Sequence, residues 1–217
     1  MSLGRGEVSG TPRLPSTLVA GLGRLARPAP VVEPEKCEVC GSNIAEDHRH
    51  LLELDERRIL CACEPCIAMR SGVESYCPVG TRTLWLDEID FPDELWAKFQ
   101  LPIGLAFFLK SSGTGTVVAL YPSPAGATES ELHLESWEEL VRRNPILEQL
   151  ETDGEAFVVN RMNEPYEHAI VPIDECYRLV GLIKANWTGI SGGNAISDAV
   201  PKFFTHIRRK AGVGVPS

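Results

Sequence analysis

Apolar and polar residues alternate in short runs along much of the chain, which is typical of β-strands. RHLLELD and RRILCAC flank a charged turn at residues 55–57 and predict a two-stranded hairpin. GLAFFLK and TVVALYP are joined by the glycine-bearing turn SSGTG and predict a second hairpin. Further strands are predicted for TLWLDEI, AFVVNRM and EHAIVPI. Adjacent strands with short connections indicate an antiparallel sheet.

Helical patterns lie between these strands. DELWAKF predicts a short helix. Ser136 and Glu139 form a capping box, which predicts a helix from Ser136 to about Leu150. Pro145 lies inside that pattern and is expected to kink or split the helix, because proline cannot donate the backbone hydrogen bond that a helix interior needs.

Two more helices are predicted near the C-terminus. Asp174 is expected to cap the first, whose apolar face comprises Cys176, Leu179, Val180, Ile183 and Trp187. The second covers about residues 195–210, with Pro201 in its interior. Taken with the strands, these patterns predict an α+β fold in which helices pack on one face of an antiparallel sheet.

Local composition divides the chain into three parts. Residues 1–34 are rich in Gly, Pro and Arg and contain no aromatic residue, which predicts a disordered tail. Residues 35–78 form a cysteine-rich module that resembles a zinc ribbon, and residues 79–212 are expected to form the α+β domain. Longer loops are expected at residues 122–131 and 190–194, where functional sites often occur.

Composition and charge exclude several classes of protein. An apolar share of 43% over 217 residues is enough to build a core, and a net charge of −9 argues against binding nucleic acid through phosphate neutralisation. No apolar run approaches the roughly 20 residues that span a bilayer. The N-terminal apolar stretch is interrupted by Gly21, Gly23 and Arg24, unlike a secretory signal peptide. We therefore expect a cytoplasmic protein, in which CxxC pairs serve metals or catalysis rather than disulfides.

Two CxxC pairs carry the strongest chemical signal. They are separated by 22 residues and supply four thiols, those of Cys37, Cys40, Cys63 and Cys66. Zinc in structural sites takes four such ligands in a tetrahedron, and this spacing is typical of zinc-binding modules. Gly41 follows the first pair and gives the turn room to direct backbone amides at sulfur. A closed site of this kind has no open position for a substrate.

The ligand set and the metal each have alternatives at this level. Cys61, in the sequence CAC, could replace Cys63, and His48 or His50 could substitute for one sulfur. Iron uses the same four thiolates in a rubredoxin-like cage, which would make the protein an electron carrier. Zinc is favoured on the softness of the ligands.

No catalytic arrangement emerges from the remaining motifs. SSGTGTV lacks the Lys-Ser/Thr ending of a phosphate-binding loop, and His168 has no accompanying serine or cysteine nucleophile motif. The glycine-rich WTGISGG could bind a partner or ligand through Trp187, Gly189, Gly192 and Gly193. We therefore expect a protein that is not an enzyme.

Five phrases carry a family resemblance: CEVCG, HRHLLEL, LPIGLAFFL, ALYPSPAGATES and VPIDECYRLVGLIKANWTGISGG. Together they resemble an uncharacterised family, mainly actinobacterial, encoded beside NiFe-hydrogenase genes. The likeness runs from Cys37 to about Ala211. It implies an accessory role in maturation, assembly or stability of a NiFe hydrogenase, with hydrogenase subunits or maturation factors as protein partners. The Met-His nickel site of well-known nickel chaperones has no counterpart in MSLGRG.

Overall fold

The computed structural model describes Met1 and residues 34–187 and 194–213. The described residues from Glu35 onward form one compact unit. Nearly all of the predicted disordered tail lies outside the described residues. So does most of the predicted glycine loop, including Gly189, Gly192 and Gly193.

A small antiparallel sheet forms the N-terminal part of this unit. Its strand order is β2-β1-β3, and the predicted hairpin is confirmed as β1 and β2. A short helix, α1, connects β2 to β3, and neither α1 nor β3 was predicted. The bounds are β1 Arg49–Glu53, β2 Arg58–Ala62, α1 Glu64–Arg70 and β3 Tyr76–Pro78.

A six-stranded antiparallel sheet forms the body, with strand order β4-β9-β8-β5-β6-β7. The predicted second hairpin is confirmed as β5 and β6, and TLWLDEI contributes only a two-residue strand. The loop expected at residues 122–131 is wrong, because that segment turns tightly and pairs with β6 as β7. The bounds are β4 Leu84–Trp85, β5 Leu105–Ser111, β6 Thr116–Ser123, β7 Gly126–Ser130, β8 Glu155–Asn160 and β9 Glu167–Pro172.

The helices of the body follow the predicted order but differ at their starts. Ser136 lies in the first turn of its helix, where its N–H bonds the His133 carbonyl, so the predicted capping box is wrong. Pro145 ends that helix and begins a separate 3₁₀ helix, as expected. Asp174 is the second residue of its helix, after the N-cap Pro172. The bounds are α2 Asp93–Lys98, α3 Leu134–Arg143, the 3₁₀ helix Pro145–Gln149, α4 Ile173–Ala185 and α5 Asn194–Val213.

Helices cover both faces of the large sheet. The first five residues of β5 and all six of β8 are buried, so neither strand keeps a polar face for solvent. Leu105, Phe107 and Leu109 face the cluster that contains α4 and α5. Ala106 and Phe108 face the opposite cluster, which contains α2 and α3. The α+β class with an antiparallel sheet is confirmed, whereas the expected single helical face becomes two.

The small sheet is joined to the body near the start of α4. Leu52 of β1 and Val79, which follows β3, belong to the same apolar cluster as α4 and α5. The imidazole Nδ1 of His50 donates to Asp174 Oδ2 over 2.8 Å. No helix within the described ranges is both long and apolar enough to cross a membrane.

Candidate metal centre

The first CxxC turn is held by its own backbone. The N–H of Cys37 bonds the Ser42 carbonyl over 2.8 Å, and the N–H of Gly41 bonds the Cys37 carbonyl over 2.8 Å. Gly41 has a φ of +76°, a left-handed conformation that costs glycine little and other residues more. Glycine at this position therefore lets the chain turn tightly beneath the two sulfurs.

The second CxxC turn is the beginning of a helix. Cys63 is the extended N-cap of α1, and Pro65 lies in the first turn, where a missing N–H costs nothing. The N–H of Ile67 bonds the Cys63 carbonyl over 3.0 Å. Because the chain continues as a helix, the residue after Cys66 needs no left-handed conformation, and Ile67 instead fills a buried position.

The four sulfurs are brought together by these two turns. The ligand atoms of Cys37, Cys40, Cys63 and Cys66 all lie within 4.8 Å of one another. The Cys40 and Cys63 Sγ atoms are 3.7 Å apart. Metal–sulfur bonds of about 2.3 Å in a tetrahedron give sulfur–sulfur separations of about 3.8 Å. The cluster thus has the dimensions of a four-thiolate metal site, and its cysteines are free thiols.

The cluster lies at the edge of a small apolar core. Cys37 and Cys66 are buried, Cys63 is half-buried and Cys40 is exposed. The buried cysteines pack with four apolar residues from the small sheet and α1: Leu51, Leu60, Ala62 and Ile67. One side of the cluster therefore faces protein and the other faces solvent.

Hydrogen bonds shift the thiol pKa values in opposite directions. Burial alone would raise the pKa of Cys37. Backbone N–H groups of Cys63, Cys40 and Val39 point at its sulfur and lower that pKa to about 6. The thiol of Cys66 hydrogen-bonds that of Cys63, and this contact, with burial, raises its pKa to about 12.

The exposed thiol of the cluster has a hydrogen-bond donor of its own. The Ser42 hydroxyl lies 3.0 Å from Cys40 Sγ and lowers the pKa of that thiol. Four negative sulfurs at these separations repel one another, so a bound cation is needed to keep all of them deprotonated. The donor set fits a soft or borderline divalent ion held by all four cysteines.

The alternative ligands do not join this cluster. Cys63 stands with the other three cysteines, whereas Cys61 is grouped with His48 and His50, also within 4.8 Å. Strand β2 ends at Ala62, so the chain turns between the two cysteines and separates their side chains. Geometry therefore groups Cys63, and not Cys61, with Cys37, Cys40 and Cys66.

Two residues near these clusters were not predicted from the sequence. Ser42 supports Cys40, and its position just after the CxxCG turn is a local signal that could have indicated it. Asp174 bonds His50, but 124 residues separate them, so no local pattern could have revealed the contact.

The other candidate residues lie in the apolar core or pack against it. Trp187 follows α4 and packs against the cluster of α4 and α5. Cys176 is fully buried there, as expected of a small apolar residue. Burial and the nearby Arg161 lower the pKa of His168 to about 4, and its ring stacks on Phe157. His168 is thus a buried imidazole whose neutral form is favoured.

Comparisons with known proteins place the chain without assigning an activity. A search of curated proteins gives no match, and a search of solved structures gives none. The model of a family of unknown function, DUF5947, matches residues 36–211, which include all four clustered cysteines. The chain therefore belongs to the DUF5947 family.

Proposed function

We propose that this protein is a zinc-binding accessory protein that assists maturation, assembly or stability of a NiFe hydrogenase in the cytoplasm. The four-cysteine cluster is the observation that carries the proposal. A tetrahedral ion bound by four thiolates has no open position for a substrate, so the ion stabilises a surface and performs no catalysis. The hydrogenase part of the proposal is supported by the family resemblance.

Zinc is the proposed metal because of the ligand chemistry. Thiolates favour zinc and iron over hard cations such as Mg²⁺, and zinc is the usual ion of two CxxC turns. Elemental analysis and a visible spectrum of protein purified without oxygen from its native host test this choice. Zinc in the four-cysteine site and no colour are expected, whereas a chain that carries neither zinc nor iron contradicts the metal-binding role.

The accessory role predicts that, without this protein, the hydrogenase subunits are synthesised but the enzyme is not completed. In a strain that lacks this protein, we expect hydrogenase subunits to be present but immature or unassembled. Complementation with Cys40→Ser should fail, and complementation with Cys77→Ser should succeed, because Cys77 lies outside the four-cysteine cluster. Normal hydrogen oxidation in the deletion strain would contradict the role.

The proposed partner is another protein. A net charge of −9 suits a partner that presents a basic surface and disfavours nucleic acid. Affinity purification of the tagged chain should recover hydrogenase subunits or maturation factors, and this recovery should weaken as salt is raised, because salt screens exposed charges.

A rubredoxin-like electron carrier is the second candidate, favoured by the exposure of the cluster. Cys40 is exposed and Cys63 is half-buried, so an ion between them would lie close to the surface. Electron transfer needs such proximity, whereas a purely structural ion does not. Iron in the native protein, with thiolate-to-iron charge-transfer bands that bleach on reduction, would establish this alternative and exclude zinc.

A further inference from the structure

A second group of metal-binding side chains lies apart from the four cysteines. His48, His50 and Cys61 each offer one ligand atom, and these atoms lie within 4.8 Å of one another. The sheet explains the grouping: His50 and Cys61 are directly opposed on β1 and β2, and His48 is two residues before His50. Residues two apart on an extended chain share a face.

His48 presents a buried ring nitrogen with no hydrogen-bond partner. Its side chain is 9% exposed, and its Nδ1 lies 2.9 Å from the Ala45 carbonyl and 3.2 Å from Glu35 Oε2. Both neighbours are acceptors, so Nδ1 carries the proton and donates. Nε2 is buried and has no partner within the part of the chain that the structure describes. Its lone pair is therefore available to a metal ion.

His50 is oriented in the manner typical of a metal ligand. Its Nδ1 donates to Asp174 Oδ2 over 2.8 Å, which leaves Nε2 as the acceptor nitrogen. The second carboxylate oxygen, Asp174 Oδ1, accepts the N–H of Glu175 over 2.8 Å, so the carboxylate is itself held in place. A carboxylate that fixes the tautomer and ring of a histidine in this way is the usual support of a metal-bound imidazole.

The third donor is set in a negatively charged environment. Cys61 is half-buried, and its N–H donates to Glu38 Oε2 over 2.6 Å. A divalent cation has the charge that would stabilise the thiolate there.

The two histidines of the group border a cavity, which distinguishes the group from the four-cysteine cluster. His48 and His50 line a surface cavity of about 880 Å³, whose wall also includes Asp174, His206 and Lys210. Three protein ligands leave the fourth position of a tetrahedral ion open. Water or a small ligand could reach that position from the cavity.

We propose that His48, His50 and Cys61 form a second metal site, an open one, for an exchangeable borderline divalent cation such as Zn²⁺. Two imidazoles and one thiolate are the donors that such ions prefer. The proposal is independent of the hydrogenase role, and it concerns ligands that the four-cysteine site does not use. In this proposal, His48 and His50 bind a second ion together with Cys61, and neither histidine replaces a cysteine in the four-cysteine cluster.

Metal stoichiometry of the full chain tests the proposal. After equilibration with excess Zn²⁺ and removal of free ion, we expect two zinc ions per wild-type chain, one of which a mild chelator removes. His48→Gln and Cys61→Ser should each bind one zinc ion, resistant to that chelator. The retained ion also reports that the variant is folded, because structural zinc binding is coupled to folding. One zinc ion in the wild type, or two in both variants, would overturn the proposal.

Matched substitutions separate this site from nonspecific binding. His133→Gln and Cys77→Ser change the same residue types outside the group of three and should still bind two zinc ions. Asp174→Asn should weaken the exchangeable ion about 10- to 100-fold, the usual effect of removing a supporting carboxylate. Asp198→Asn, at an exposed position of α5 that does not line the cavity, should leave affinity unchanged. Equal affinities in all four variants would contradict the assignment.

Cobalt identifies the sulfur ligand directly. When Zn²⁺ fills the four-cysteine site and Co²⁺ is then added, we expect one bound Co²⁺ with a thiolate-to-cobalt charge-transfer band. Cys61→Ser should abolish this band, whereas Cys77→Ser should preserve it. A band that persists in Cys61→Ser would show that Cys61 is not the ligand.

Discussion

The cysteine module and the α+β body are stabilised in different ways. The body buries two large apolar clusters, whose fully buried side chains include Phe108, Phe157 and Phe204. The apolar cluster of the module contains six buried residues, and two of them are the candidate ligands Cys37 and Cys66. Units of about 40 residues rarely bury enough apolar surface to fold without a metal or disulfides. We therefore expect a metal bound by the four cysteines to supply the stability that apolar burial does not supply in the module.

The largest expected effect comes from breaking the four-cysteine cluster. Structural zinc contributes roughly 10–16 kcal/mol of apparent binding free energy in small zinc modules, so Cys37→Ser should unfold residues 37–78. Amide hydrogen exchange should show loss of protection in β1, β2 and β3, with protection kept in β5 and β8. Cys77→Ser is the matched control. Simultaneous loss of protection in β5 and β8 would mean that module and body unfold as one unit.

Removing a core side chain from the α+β body should have the next largest effect on stability. Phe157 is fully buried and lies in contact with the rings of Phe108 and His168, so Phe157→Ala should lower the free energy of unfolding by about 3–5 kcal/mol. Urea denaturation measures the change. Leu182→Ala, at a position 47% exposed, should change it by less than about 0.5 kcal/mol. Similar losses in both variants would contradict the assignment of the core.

Acid should weaken the body through His168. Its pKa is about 4 when folded, and an unfolded histidine titrates near 6.5, so the unfolded state binds more protons between these values. The contribution of this neutral ring to the free energy of unfolding is fully present above about pH 6.5, and it is lost as the pH falls to about 4. The loss amounts to about 3 kcal/mol. His168→Gln should flatten the pH dependence of the free energy of unfolding over this range. An unchanged profile would mean that other groups cause the pH dependence.

The smallest expected effects on stability come from substituting two glycines that differ in backbone conformation. Gly41 has a positive φ in the first CxxC turn, so Gly41→Ala should cost about 1 kcal/mol and weaken metal retention. Gly181 lies within α4 with open space around it, so Gly181→Ala should stabilise the body by about 0.5–1 kcal/mol. Thermal unfolding with metal analysis should show effects of opposite sign; a shared sign would contradict the turn geometry.

Sequence patterns predicted the elements that depend on nearby residues. The two hairpins, β8, β9 and the break at Pro145 follow from apolar runs, turn residues and the missing N–H of proline. Strand β7 escaped prediction because GATES has no apolar alternation, and it is a strand only because its backbone pairs with β6. The seven-residue helix α1 is too short for a periodic pattern.

The choice of metal ligands was limited in the same way, because it also depends on contacts beyond the local sequence. Spacing identified two CxxC pairs, and it could not choose between Cys61 and Cys63, which are two residues apart in sequence. The end of β2 at Ala62 separates them into two clusters. The support of His50 by Asp174 depends on how α4 packs against the small sheet, which no local pattern encodes.

By itself, the sequence determined the α+β class, the two CxxC pairs and the glycine turn after the first pair, because turns and spacings depend on a few covalently linked residues. Only the tertiary structure decided that helices cover both sheet faces, that His48, His50 and Cys61 meet, and that the two histidines border a cavity. Those outcomes depend on contacts between distant segments, whose free energy comes from burial and hydrogen bonding across the whole fold.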